Sequence, residues 1–349
     1  MILQDNRETN ETSWINIAKI CSMGGVVLQH VRGYIYSSDY IFYSVWWVVA
    51  LFIMIGGYNS YTSYQNRGCF QLKKKISGIF IPYFFATMIY TIYNYHYFDA
   101  LTFLQSLLHF NASGPMYYVA VYIQLLIISP VLIGVIDRCE KRKWLFIPFW
   151  MITFCIAAST TLYSNLFDIA IGGGNLFAGP WILFWVLGMC IKNVEKNIEI
   201  KPEMQKWVIV GITLIIILWQ YVFVNKGVNL ELGSMFHGTQ VGMTWANAFE
   251  TVLIFFWFRY AVEIFKRNAG NIGKQIIKPL DFTGRYTLYI FLYHMLFLSF
   301  YIKYLEISGT YINRWFCLAF IFGGPVIWGL ILKWVKDSFR RIIKEVRVE

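Results

Sequence analysis

Ten times between Trp14 and Leu332 the chain passes through a window of about 20 mostly apolar residues, the length an α-helix needs to cross a bilayer core. The windows cover roughly 14–36, 41–64, 76–94, 116–136, 144–163, 177–191, 207–225, 244–265, 286–305 and 311–332. With 58% apolar and only 14% charged residues, against about a quarter charged in soluble domains, the chain reads as a polytopic integral membrane protein. The expected fold is an all-α helical bundle of about ten transmembrane helices. The first window, with Lys19, His30 and Arg32, and the short sixth one are the weakest.

The connecting loops test that count. Short cytoplasmic loops carry an excess of Lys and Arg. With the N-terminus inside, 23 of the 30 basic residues fall in one alternate set of loops and tails, and only Arg32, Lys226, Lys303 and Arg314 fall in the other. This split predicts ten spans with both termini cytoplasmic; removing one span would scramble it. Residues 1–13 read as a cytoplasmic N-terminal segment without the pattern of a cleavable signal peptide. Residues 14–335 form one transmembrane domain, and 336–349 a basic cytoplasmic tail. The net charge of +11 is then largely a matter of topology and attraction to anionic membrane lipid. Nucleic-acid binding is not implied. The six cysteines are scattered without a CxxC pair, so neither a disulfide framework nor a metal site is expected.

The first window, "WINIAKICSMGGVVLQH", puts two ionisable residues at membrane depth. Lys19 and His30 lie eleven positions apart, which at about 100° per residue is three turns, so both fall on one stripe roughly 16 Å apart along the axis. Such groups are costly in hydrocarbon and usually face a bundle interior or a wet cavity. A histidine there is suited to take a proton from an alcohol near neutral pH. The plainer reading is a histidine bonded to a neighbouring helix and a lysine snorkelling to the interface. Gly24 and Gly25 leave room for a helix or ligand to come close.

Two further stretches invite the same weighing. Lys73, Lys74 and Lys75 stand at the expected cytoplasmic start of the third span, where ammonium groups could meet phosphates or simply orient the helix. "TLYIFLYH" puts His294 at mid-membrane depth, where a structural hydrogen bond to another helix competes with a cavity role. His96, His109 and His237 fall in expected external loops. The 38 Tyr and Trp residues exceed what two interfacial belts need, so some could line a cavity for a sugar-like or acyl substrate, although packing accounts for most.

Taken in order, these stretches resemble the acyltransferase 3 family, membrane proteins that O-acylate cell-surface carbohydrates and peptidoglycan from acyl-CoA. "WINIAK" with His30 is similar to the family's first-span pattern, closest to its enterobacterial common antigen acetyltransferase branch. "ALFIMIGGY" resembles "PLFFFISGY", and "KKKISGIFIPY" a cytoplasmic basic run ending in Pro-Tyr. "GPMYYVAVYIQLLIISP" resembles the segment that begins "HLWYL", and "TLYIFLYH" resembles "SFGIYLIH", with His294 in the place of the late histidine. Asn16 stands where the family has Asp, Lys19 where Arg is usual, Gly56 where Ser precedes Gly-Tyr, and Phe291 where Tyr precedes the late His. A basic position becomes Gly78, and Pro115 and Tyr117 replace His and Trp.

The resemblance implies an O-acyltransferase of the cell membrane that moves an acyl group, expected to be acetyl, from cytoplasmic acetyl-CoA to a carbohydrate or lipid-linked glycan, with no metal. On that reading His30 is the general base and Lys19 holds the acyl-CoA. Lys73, Lys74, Lys75 and Asn16 belong to the coenzyme-binding side, and Tyr58, Tyr118 and His294 to the substrate cavity. The rival is a transporter or flippase of a glycan or acyl intermediate, with the same ionisable residues binding or gating a solute. The family also includes members for which an export role has been argued.

Overall fold

The computed structural model describes residues 2–162, 176–195, 200–225, 245–308 and 314–346. The expected external stretch with Lys226 and His237 lies outside them. Each of the ten windows falls on a helix. In chain order these are α1 (Ile2–His30), α2 (Asp39–Ser44) with α3 (Val48–Arg67), α4 (Leu72–Tyr95), α6 (Tyr117–Lys141), α7 (Phe146–Leu162), α8 (Ile182–Glu195), α9 (Pro202–Asn225), α10 (Trp245–Asn268), α12 (Thr287–Ser308) and α13 (Arg314–Val346). Two more helices, α5 (Ala100–His109) and α11 (Gly270–Gly284), occupy stretches that read as loops. No strand occurs among the described residues. Asp99 caps α5, and the donors of Thr102 hold its carboxyl below the usual range.

The protein is an all-α membrane bundle. Among the described residues, five segments are long and apolar enough to cross a membrane on their own: Asp39–Arg67, Leu72–Tyr95, Gly114–Lys141, Pro202–Val222 and Trp315–Leu332. Others are weaker because they carry polar groups, and the structure pairs those groups between helices. Gln220 of α9 bonds Glu250 of α10, and Arg259 of α10 donates from Nε to Glu195 of α8 at 2.7 Å. Outward-facing side chains remain apolar: Leu214, Ile217 and Leu218 of α9 are 62%, 61% and 63% exposed. In water such a face would demand a partner; in lipid it is already at home.

Among the described residues the tightest helix crossing joins α3 to α8 through glycines. A Cβ on Gly57 would lie 2.0 Å from the Trp185 carbonyl oxygen, and one on Gly188 1.9 Å from that of Met54. Neither backbone can yield without parting the helices. Gly188→Ala is therefore expected to cost about 1–3 kcal/mol by overpacking, read as a lowered melting temperature in detergent. Gly134→Ala in α6, where nothing stands within 4 Å of the added carbon, serves as the control and should not lower it.

Two apolar clusters make the interior. One gathers around α3, α6, α8 and α10, and the other around the end of α1 with α4, α12 and α13. Tyr118 and Ile79 pack against both, so the seam between the clusters runs past them.

Candidate functional site

A cavity of about 160 Å³ lies on that seam. At about 10–15 Å³ for each water-sized site, it has room for roughly ten small groups, enough for the reacting end of a ligand but not a nucleotide. Its polar wall is Lys19 of α1, Asn59 of α3 and Thr287 of α12. Its aromatic wall is Phe52, Tyr118, Tyr122 and Phe291. Gly56 completes it, and the reason for glycine there is steric. A Cβ would meet the Trp185 ring at 2.5 Å and the Tyr122 ring at 2.8 Å, so the aromatic wall closes only over a bare backbone.

Past Phe291 stand the two histidines. The Phe291 ring is centred 5.0 Å from that of Tyr118 on one side and 6.0 Å from that of His294 on the other. The His294 and His30 rings are 5.1 Å apart, centre to centre. His294 is wholly buried, and its Nδ1 lies 2.7 Å from the Phe291 carbonyl oxygen. A carbonyl only accepts, so Nδ1 carries the proton and Nε2 of the neutral ring keeps its lone pair. That Nε2 is buried without a hydrogen-bond partner. Helix α12 thus presents an oriented acceptor beside His30.

The tribasic cluster forms the first turn of α4. Lys73 and Lys74 are exposed, whereas the half-buried Lys75 holds its ammonium 5.4 Å over the Phe70 ring. Ile79, one turn beyond Lys75 on the same face, lines the cavity, so α4 carries the lysine turn at one point and the cavity wall at the next. Asn16 faces α11, where its Nδ2 donates to Asp281 Oδ1 at 3.0 Å.

Tyr58 is not among the residues lining the cavity. Its ring packs edge-on to Trp14 at 5.6 Å, and its hydroxyl donates to Glu195. Lys192 stands over the ring at 5.2 Å, and Arg259 binds the same carboxylate. Of the nine site residues read from the sequence, the structure brings Lys19 and Tyr118 to one cavity and pairs His30 with His294 beyond its end. The lysine cluster lies on the first turn of α4, Asn16 on the α11 side, and Tyr58 in a separate polar cluster.

Asn59, Tyr122, Thr287 and Asp281 join the site without having been singled out. Asn59 and Tyr122 had a signal: Asn59 follows "GGY", and Tyr122 shares a helix face with Tyr118 at i+4 spacing. Arg259, which lies inside an apolar window, was a visible intramembrane charge of the kind that marks an interior partner. Asp281 had no local signal.

Residues 12–334 match a family model described as an acyltransferase domain. Neither the curated proteins nor the solved structures contain a match to the chain.

Proposed function

The chain belongs to the acyltransferase 3 family, whose domain covers nearly all of it, and from that premise we propose that this membrane acyltransferase is an O-acetyltransferase of the cell membrane. It takes the acetyl group from cytoplasmic acetyl-CoA and delivers it to a hydroxyl of a cell-surface or lipid-linked carbohydrate. The observation that carries this reading is one arrangement: a cationic cavity wall at Lys19, an aromatic partition at Phe291, and the His30–His294 pair beyond it.

Lys73, Lys74 and Lys75 draw the anionic coenzyme to the cavity approach, and Lys19 holds it inside as a point charge. An extended pantetheine arm covers the roughly 16 Å from Lys19 to His30. His30 takes the proton of the acceptor hydroxyl as that oxygen attacks the thioester carbonyl. The new C–O bond forms, the C–S bond breaks, and the proton passes from His30 to the departing thiolate. His294, its Nδ1 proton tied to the Phe291 carbonyl, keeps an unpartnered Nε2 lone pair beside His30. That lone pair can stabilise the His30 imidazolium as it forms during attack. The partition excludes bulk water, which would otherwise hydrolyse the thioester.

Purified protein in detergent, given labelled acetyl-CoA and a carbohydrate acceptor, is expected to consume the donor and move label into an alkali-labile ester. No consumption of the donor by protein that does move a glycan across a liposome membrane would favour transport and defeat the acyltransferase reading.

A further inference from the structure

Lys19 is an interior cation, and such a group is stable in a bundle only with a compensating charge. Neither α1 around it nor the cavity wall supplies an acid. Among the described residues, the acid whose charge acts on Lys19 comes from α11. Asp281 Oδ1 accepts from Asn16 at 3.0 Å, one turn before Lys19 on α1, and Oδ2 accepts from Arg285 at 2.6 Å. Its side chain is 14% exposed, with Oδ1 turned to α1 and Oδ2 to Arg285 on the solvent side. The seam is close by construction, because a Cβ on Gly284 would lie 2.2 Å from the Asn16 carbonyl oxygen. Three residues after Gly284 in the chain, Thr287 lines the cavity together with Lys19.

We propose that Asp281 is the positioning residue for Lys19, a fixed counter-charge that keeps the ammonium protonated and directed into the cavity, with Asn16 as the bracket that aims the carboxylate. The proposal rests on the reading of Lys19 as the group that holds the acyl donor. The Asp281 charge acts on Lys19 and also on Lys266, whose ammonium is tied to Ser13, while Arg285 fixes the carboxylate from the exposed side. An amide at position 16 is then required. A second carboxylate in contact with Asp281 would repel it.

The test exchanges the two groups. Asp281→Asn, Asn16→Asp and the double variant are made in the full chain. Each is assayed for acetic anhydride labelling of Lys19, read by peptide mass spectrometry, and for the KM and kcat of acetyl-CoA. Asp281→Asn keeps the shape and loses the charge, so Lys19 labelling is expected to rise about threefold or more as its free-amine fraction grows. KM is expected to rise about tenfold, with kcat within about twofold. The double variant restores carboxylate, amide and hydrogen bond with their places exchanged, and should return both readings to within about twofold of the original.

Unchanged labelling in Asp281→Asn, or a double variant that behaves like that single one, overturns the pairing. Labelling that moves while KM does not overturns the positioning role. If Asp281→Asn fails to fold, a double variant that folds and labels normally supports the proposal, and one that also fails overturns it. Labelling needs no turnover, so absence of acyl transfer in every protein, the unmodified chain included, would count against the acyltransferase reading and leave the pairing to be decided by the labelling.

Discussion

Replacing His30 with alanine is expected to lower kcat for acyl transfer by about 10²- to 10⁴-fold, the range a positioned general base contributes, while the KM for acetyl-CoA stays within about twofold. The split follows from where the residue stands. Lys19 is about 16 Å away along α1 and His30 is not among the residues lining the cavity, so donor binding loses little. The truncation also leaves no new orphan, because His294 Nε2 already lacks a hydrogen-bond partner and its Nδ1 stays bonded to Phe291. A folded, donor-binding and inactive variant is the expected outcome, checked by melting temperature and steady-state kinetics. Loss of donor binding in parallel with kcat would mean that His30 holds the fold or the donor and is not a base.

Lys19→Ala is expected to do the reverse, raising the KM for acetyl-CoA by about 10- to 100-fold, the value of one desolvated charge-assisted contact, with kcat much less affected. Lys19→Arg keeps the charge and should stay near the original, although its larger fork must fit among Tyr118, Tyr122 and Phe291. The exposed Lys73 and Lys74 offer a contrast. Their attraction is screened, so single alanine changes there should raise KM only about two- to threefold and lose even that at high salt. A larger effect at Lys73 than at Lys19 would move the donor's anchoring point out of the cavity.

Much of this site was legible because it is written locally. The eleven-residue spacing of Lys19 and His30 is a helical repeat within one span, and it survives unchanged in α1. The apolar windows found the long helices because hydrocarbon imposes a length. They missed α5 and α11, which are too short to span and carry their apolar residues on one side only. What was not legible is what crosses between helices. His30 meets His294, and Asn16 meets Asp281 across 265 positions of chain, through side chains whose neighbours in sequence say nothing of each other.

Two departures from the family pattern change meaning once packing is known. Gly56 stands where Ser is usual because the Trp185 and Tyr122 rings fill the space a side chain would take. Asn16 stands where Asp is usual, and in this fold it faces a carboxylate from α11. Tyr58 shows the opposite case. The family resemblance of "ALFIMIGGY" implied the cavity, whereas its hydroxyl is drawn to Glu195 by the charged cluster of Arg259 and Lys192.

Mass spectrometry of surface glycans bears most directly on the proposed activity, comparing cells that carry the chain, cells that lack it and cells that carry His30→Ala at equal abundance. An acyl ester on the glycan is expected only with the unmodified chain. Equal glycan acylation in all three, or full acylation with His30→Ala, would contradict an acyltransferase that works through His30.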